Sequence, residues 1–156
     1  MKRILIIAIL IIAATTVFGQ GYKTSLGVRG AFASGITAKH FIEENVALEG
    51  ILSGGAWGGN ITGLYEIHTP AFDVERLYWY YGGGAHIAQW NEDFYFPSSD
   101  RDGSHIVIGL DGILGLEYYI EEIPFTISAD WKPIFNITGY PGFSGYGGAI
   151  SIRYTF

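Results

Sequence analysis

The chain has 156 residues, of which only 15% are charged while 16% are aromatic and 23 are glycine, a balance that is unusual for a soluble globular domain. Its net charge of −6 argues against a nucleic-acid partner, because such binding requires a basic surface that displaces counterions. Cysteine is absent, which excludes disulfides, thiolate metal sites and a lipid-bearing cysteine.

The amino terminus has the pattern of a secretory signal peptide. Lys2 and Arg3 form a short basic head, residues 4–14 are apolar, and Val17 and Gly19 are the small residues expected before a cleavage site. The apolar run is too short for a transmembrane helix, which needs about 20 apolar residues. We therefore favour a cleaved leader over a retained membrane anchor. The predicted division is a signal peptide over residues 1–19 and one barrel domain over residues 20–156.

The mature chain shows no sustained helical period, and each glycine would weaken a helix interior by about 1 kcal/mol relative to alanine. Short runs rich in β-branched and aromatic residues alternate instead with turn residues. They predict eight strands over residues 22–33, 36–42, 46–54, 60–69, 77–90, 105–120, 125–136 and 145–156. Longer loops at one end and shorter turns at the other, with both termini on the short-turn side, predict an all-β, eight-stranded antiparallel up-and-down transmembrane barrel.

The strongest evidence for a membrane barrel is that charge is confined to one face of each run. Alternate residues of a strand point to opposite sides, and in the sixth run Ile106 and Ile108 share one parity while Asp111 and Glu117 share the other. A soluble barrel or β-sandwich, the alternative, would present its charges outward. The predicted lumen charges are Lys23, Arg29, Lys39, Glu49, Glu66, Asp111, Glu117, Asp130, Lys132 and Arg153.

These ten side chains predict a lumen that is filled by ion pairs. An eight-stranded barrel leaves an interior just wide enough for side chains. Since an unpaired buried charge is costly, equal numbers of acids and bases favour a packed polar core. A narrow ion path lined by the same groups is the alternative.

Aromatic residues are frequent near the ends of the runs, as expected for the interfacial girdles of a transmembrane barrel. They are Tyr22, Phe41, Tyr65, Tyr78, Trp79, Tyr80, Trp131 and Tyr154. The glycines at residues 82–84 lie inside a run with no helix after it. We therefore predict a bend or a close strand approach there and not a phosphate-binding loop.

Three segments, residues 39–50, 115–133 and 148–156, carry a likeness to known proteins. The first resembles a strand, tight periplasmic turn and strand, and the second resembles a penultimate hairpin. The third resembles a carboxy-terminal assembly signal, formed by Ile150, Ile152, Tyr154 and Phe156. From residue 21 to 156 the chain is similar to the small porin-like outer-membrane barrels of Gram-negative bacteria, of the eight-stranded OmpX and OmpA type.

This resemblance implies a place in the cell outer membrane, contact with outer-membrane lipid, and recognition of the last strand by the barrel-assembly machinery. The family includes structural, adhesive, pore-forming and a few enzymatic members, so it leaves the activity open. We expect a structural or surface-interaction role. A lipid-modifying enzyme and a narrow pore for small solutes are the alternatives.

Residues that suggest chemistry are few. His40, His68, His86 and His105 have no ligand-like spacing, so we predict neither a metal site nor a cofactor. Ser104 and His105, with Asp100 and Asp102 nearby, suggest a hydrolase trio. Adjacent strand residues face opposite sides, however, and no oxyanion donor is visible, so we favour a polar loop and predict no catalytic residue.

The connection over residues 91–104 holds Phe94, Tyr95 and Phe96 among several charged residues. Exposed aromatic residues flanked by acids suggest a recognition surface for an extracellular partner. The same side chains would equally fit a loop folded back onto the barrel rim. The sequence leaves both interpretations open.

Overall fold

The structure, a computed structural model, describes residues 21–31, 34–55, 58–91, 104–139 and 141–156. The predicted leader lies outside this part of the chain. The described residues form ten strands: β1 Thr24–Ala31, β2 Gly35–Glu43, β3 Val46–Gly55, β4 Gly58–Pro70, β5 Leu77–Asn91, β6 Ser104–Ile120, β7 Phe125–Trp131, β8 Ile134–Asn136, β9 Gly142–Ser144 and β10 Gly148–Thr155. No helix in the described ranges is long and apolar enough to cross a bilayer.

Eight of the strands close into a ring. Each strand from β1 to β6 pairs antiparallel with the next, β7 pairs with β10, and β10 pairs with β1. The predicted all-β, eight-stranded antiparallel barrel is confirmed. Tyr22 and Phe156 lie at one end of the ring, here called the terminal end, and the opposite end is called the loop end.

The distribution of residues across the wall is inverted relative to a soluble barrel. On β6 the side chains of Ile108, Leu110 and Leu114 are exposed on the outside, whereas Asp111 and Glu117 are buried inside. The period of two along a strand produces this segregation, since successive side chains point to opposite faces. An apolar exterior around a polar interior is the arrangement of transmembrane barrels.

Two of the predicted glycine positions mark a close strand approach. A Cβ on Gly82 would overlap the backbone carbonyl of Tyr65, and a Cβ on Gly84 would overlap that of Gly63, both on the neighbouring strand β4. Side-chain-free positions of this kind allow a strand to bend sharply inside a small barrel. The expected close approach at residues 82–84 is confirmed.

The predicted seventh and eighth strands differ from the observed ones. Strand β7 ends at Trp131 and β8 begins at Ile134 in the same register against β6, because Pro133 accepts a hydrogen bond from the Gly112 N–H but has no N–H to donate in return. The last strand begins at Gly148 and not at residue 145. The chain between them forms a small hairpin, in which β8 pairs with both β6 and β9.

The connections follow the predicted end-to-end asymmetry only in part. At the terminal end, residues 44–45 link β2 to β3 and residues 121–124 link β6 to β7. At the loop end the links from β5 to β6 and from β7 to β10 are long. The links from β1 to β2 and from β3 to β4 are as short as those from β2 to β3 and from β6 to β7.

Candidate functional site

The lumen receives most of the predicted charges directly. Buried on the inner face are Arg29, Lys39, Glu49, Glu66, Asp111, Glu117, Asp130 and Arg153. Lys132 lies just beyond β7 and reaches inward to pair with Asp111. Lys23 precedes β1, is half-buried, and forms no salt bridge with the described residues.

A central cluster joins five of these side chains. Arg153 donates to Glu49 at 2.6 Å and to Glu117 at 3.1 Å, and it also contacts Ser128 at 2.8 Å. The Lys39 ammonium lies 2.8 Å from Glu66, 3.2 Å from Glu117 and 3.4 Å from Glu49. These residues come from β2, β3, β4, β6 and β10, so strands from around the whole ring meet in one network.

Small cross-strand neighbours make room for the large charged side chains. Arg153 stands opposite Gly27 on β1, and Glu66 stands between Ala47 and Gly82 in the sheet. The side chain of a residue opposite glycine or alanine can lean over its neighbour toward the barrel axis. The long side chains of distant strands therefore reach one another across the lumen.

A second ion pair lies beside the central cluster. Both terminal nitrogens of Arg29 donate to the carboxylate of Asp130, at 2.5 and 2.6 Å, in a bidentate arrangement. The hydroxyl of Tyr80 also donates to Asp130 at 2.9 Å. The Tyr80 ring covers Lys39, whose ammonium is 4.1 Å from the ring centroid, so this tyrosine links the two groups.

Aromatic side chains pack together inside the lumen near the terminal end. Tyr22 packs edge-on against Phe41 at 5.3 Å and also contacts Tyr119 at 5.6 Å. The hydroxyl of Tyr22 donates to Glu117 and so connects these aromatic residues to the central cluster. The His68 ring contacts Phe41 edge-on and stacks on Tyr80.

The predicted aromatic girdle is therefore wrong for three of its members. Tyr22, Phe41 and Tyr80 are buried inside the barrel. Of the other predicted members, Tyr65, Trp131 and Tyr154 are exposed on the outside. Phe41 and Tyr80 share the parity of lumen residues of their own strands. A tyrosine there fits because its polar hydroxyl finds a partner while its ring fills space.

Sequence reasoning missed a third group, centred on His86 near the loop end. One ring nitrogen of His86 lies 2.7 Å from Asp111, and the other lies 3.1 Å from the side-chain oxygen of Asn136 on β8. Lys132 pairs with the same aspartate. The sequence signal for this group is parity, because His86 lies on the same face of β5 as Tyr80, whereas metal-ligand spacing gives no indication of it.

Other predicted residues lie elsewhere. Ile150, Ile152, Tyr154 and Phe156 are exposed along the outer face at the end of the chain. Phe94, Tyr95 and Phe96 lie outside the described residues, as do Asp100 and Asp102 and the side chains of Ser104 and His105. Within the described ranges no group of three or more histidine, cysteine or acidic side chains is placed to hold a metal ion.

Comparison with known proteins gives a structural likeness alone. No protein-family model and no curated protein matches the sequence. Among solved structures, the chain is similar to the N-terminal β-barrel domain of OprF from Pseudomonas aeruginosa, with a TM-score of 0.66 and 16% sequence identity over 85% of this chain and 96% of that domain. The fold is thus that of a small eight-stranded outer-membrane barrel of the OmpA type.

Proposed function

We propose that this protein is an outer-membrane barrel with a structural or surface-interaction role and a lumen closed by its own side chains. The observation that carries the proposal is the central cluster, in which Lys39 and Arg153 hold three carboxylates from three other strands. An apolar group of Ile51, Leu64, Tyr80 and Ile113 adds further filling in the same lumen. In an eight-stranded barrel such filling leaves little space for solutes.

Surface interaction in this proposal belongs to the connections at the loop end. The long β5–β6 connection contains Phe94, Tyr95 and Phe96 among acidic residues, a composition that suits recognition of another molecule outside the cell. The outer wall, which is predominantly apolar, would contact membrane lipid. The barrel would serve as the rigid support from which variable loops project.

A closed lumen predicts that the reconstituted protein does not conduct ions steadily across a planar lipid bilayer. The substitution Arg153→Ser should produce openings, because it removes the largest buried side chain of the cluster and leaves Glu49 and Glu117 with Lys39 alone. The matched control is Arg76→Ser, which breaks an exposed pair with Glu121 on the turns of the terminal end. Sustained conductance of the wild-type barrel would contradict the proposal and favour the narrow pore.

The proposed route to the membrane is export by residues 1–19. The expected mature protein begins at Gln20 and fractionates with outer membranes, because an apolar outer wall is stable only in lipid. Amino-terminal sequencing of the fractionated protein measures both points. Recovery of a soluble periplasmic product would contradict this localisation.

A further inference from the structure

The central cluster contains one more carboxylate than it has permanent cations. Lys39 and Arg153 face Glu49, Glu66 and Glu117, and all five are almost completely buried. The other lumen bases are engaged elsewhere, since Arg29 pairs with Asp130 and Lys132 pairs with Asp111. An uncompensated charge at such a site is expensive, so a further positive charge is required.

The contacts identify the carboxylate with the weakest compensation. Glu49 and Glu117 each contact both Lys39 and Arg153, whereas Glu66 is paired with Lys39 alone. Among the described residues, one oxygen of Glu66 and one oxygen of Glu49 have no hydrogen-bond partner, and the other oxygen of Glu66 lies 3.3 Å from Nε2 of His68.

His68 supplies a second, independent sign of a missing ligand. It is 1% exposed, and its Nδ1 has no partner in the part of the chain that the structure describes. Its ring is fixed between Phe41 and Tyr80, so the nitrogen that faces Glu66 cannot turn away. A buried carboxyl and a buried imidazole at this separation can hold a proton between them.

We propose that the Glu66–His68 pair is a proton-binding site that retains one proton at neutral pH. The proton is shared as a carboxylic acid with a neutral imidazole or as a carboxylate with an imidazolium, and either form balances the cluster. The groups that face the pair are Lys39 on β2, Glu49 on β3, Tyr80 on β5, Glu117 on β6, Arg153 on β10 and, before β1, Tyr22. This proposal depends on the buried cluster and not on the proposed closed lumen. A barrel that conducts ions would therefore contradict the proposed function but not the proton-binding site.

The proposal fixes the direction of a pH effect. An exposed glutamate in the unfolded chain is ionised at neutral pH, so folding takes up the proton that the site retains. The folding equilibrium constant should therefore fall by up to about tenfold for each pH unit above neutrality. Loss of the proton leaves an unmatched negative charge inside the barrel.

The test compares two isosteric variants of the mature barrel folded in detergent micelles. Glu66→Gln replaces a group that is already neutralised, so its unfolding rate in urea at pH 7 should stay within about twofold of wild type, and its pH dependence should flatten. Asp130→Asn is the matched control, because it neutralises a carboxylate of the balanced pair with Arg29. It should unfold at least roughly tenfold faster and keep the wild-type pH dependence.

Spectroscopy reads the proton directly in the wild-type protein. Infrared spectra should show a protonated-carboxyl band, or nitrogen NMR should show a doubly protonated His68, and the signal should disappear in Glu66→Gln and persist in Asp130→Asn. Absence of both signals at pH 7 overturns the proposal, as does a Glu66→Gln variant as unstable as Asp130→Asn. Stabilisation of the wild type by sodium but not by choline chloride would also overturn it, by identifying a metal ion as the occupant.

Discussion

Arg29 and Asp130 form an ion pair that can be separated experimentally from the rest of the lumen. Their guanidinium and carboxylate meet in a bidentate contact, and among the described residues Tyr80 is the one further side chain that bonds to either of them. Both side chains are buried, so each depends on the other for compensation of its charge. The contribution of such a pair to the free energy of unfolding is therefore best measured by replacing one member and then both.

We expect Asp130→Leu to destabilise the barrel by about 3–5 kcal/mol, because it leaves Arg29 buried without a counter-charge. The double variant Arg29→Met, Asp130→Leu should recover most of that loss, since two apolar side chains fill the same volume without desolvated charge. Urea unfolding in lipid vesicles gives the three free energies. A double variant less stable than Asp130→Leu would show that the pair is not an isolated unit.

At the scale of the elements, β10 is the strand that closes the ring. It pairs with β1 from Ala149 to Thr155 and with β7 from Gly148 to Tyr154. Phe156 extends the pairing of β10 with the chain before and at the start of β1, here called the seam. Its N–H donates to the Thr24 carbonyl, and its own carbonyl accepts from the Lys23 N–H. Its ring packs on the outer face against Tyr154 at 4.9 Å and is about half exposed.

The proposed assembly signal predicts that Phe156→Ala separates assembly in cells from folding in detergent. The backbone seam does not need the ring, so refolding of the purified variant should approach the wild-type yield. Insertion in cells should fall, because the alternating apolar side chains from Ile150 onward would lose their final aromatic residue. Heat-modifiable mobility on gels measures folded protein in both settings.

The control for this variant is Tyr118→Ala, which removes another exposed aromatic residue from the outer face but from β6. It should affect refolding and cellular assembly to a similar degree. If Phe156→Ala lowers the yield of folded protein equally in detergent and in cells, the ring contributes only to packing. That result would contradict the assembly role.

At the scale of the whole molecule, the inverted barrel makes stability depend on the surrounding lipid. Leu114, exposed in the middle of β6, should tolerate arginine poorly, at a cost of about 2–4 kcal/mol, since a charge at mid-depth has no water around it. Ile106 lies on the same face near the loop end of that strand. Its replacement by arginine should lower the free energy of unfolding by only about 0–1 kcal/mol. Unfolding in vesicles measures the difference, and equal losses would contradict the membrane orientation.

The sequence by itself determined the strands and their two faces. The alternation that puts Asp111 and Glu117 opposite Ile108 and Leu114 is local, because it depends only on the period of two along an extended chain. Six of the eight barrel strands accordingly lie close to their predicted positions. The break after Trp131 had a local signal too, in Pro133, whose missing donor interrupts the pairing there.

The tertiary structure alone decided which groups share the lumen and how they pair. Arg153 meets Glu49 across 104 positions of sequence, and no local pattern sets that contact. It depends on how the ring closes, which brings β10 beside β1 and its side chains across from β3. The same closure turned Tyr22 inward. Phe41, His68, Tyr80 and His86 already had the parity of lumen residues in their strands, but closure decided which partners they meet, because inside a narrow barrel any inward side chain must find partners among distant strands.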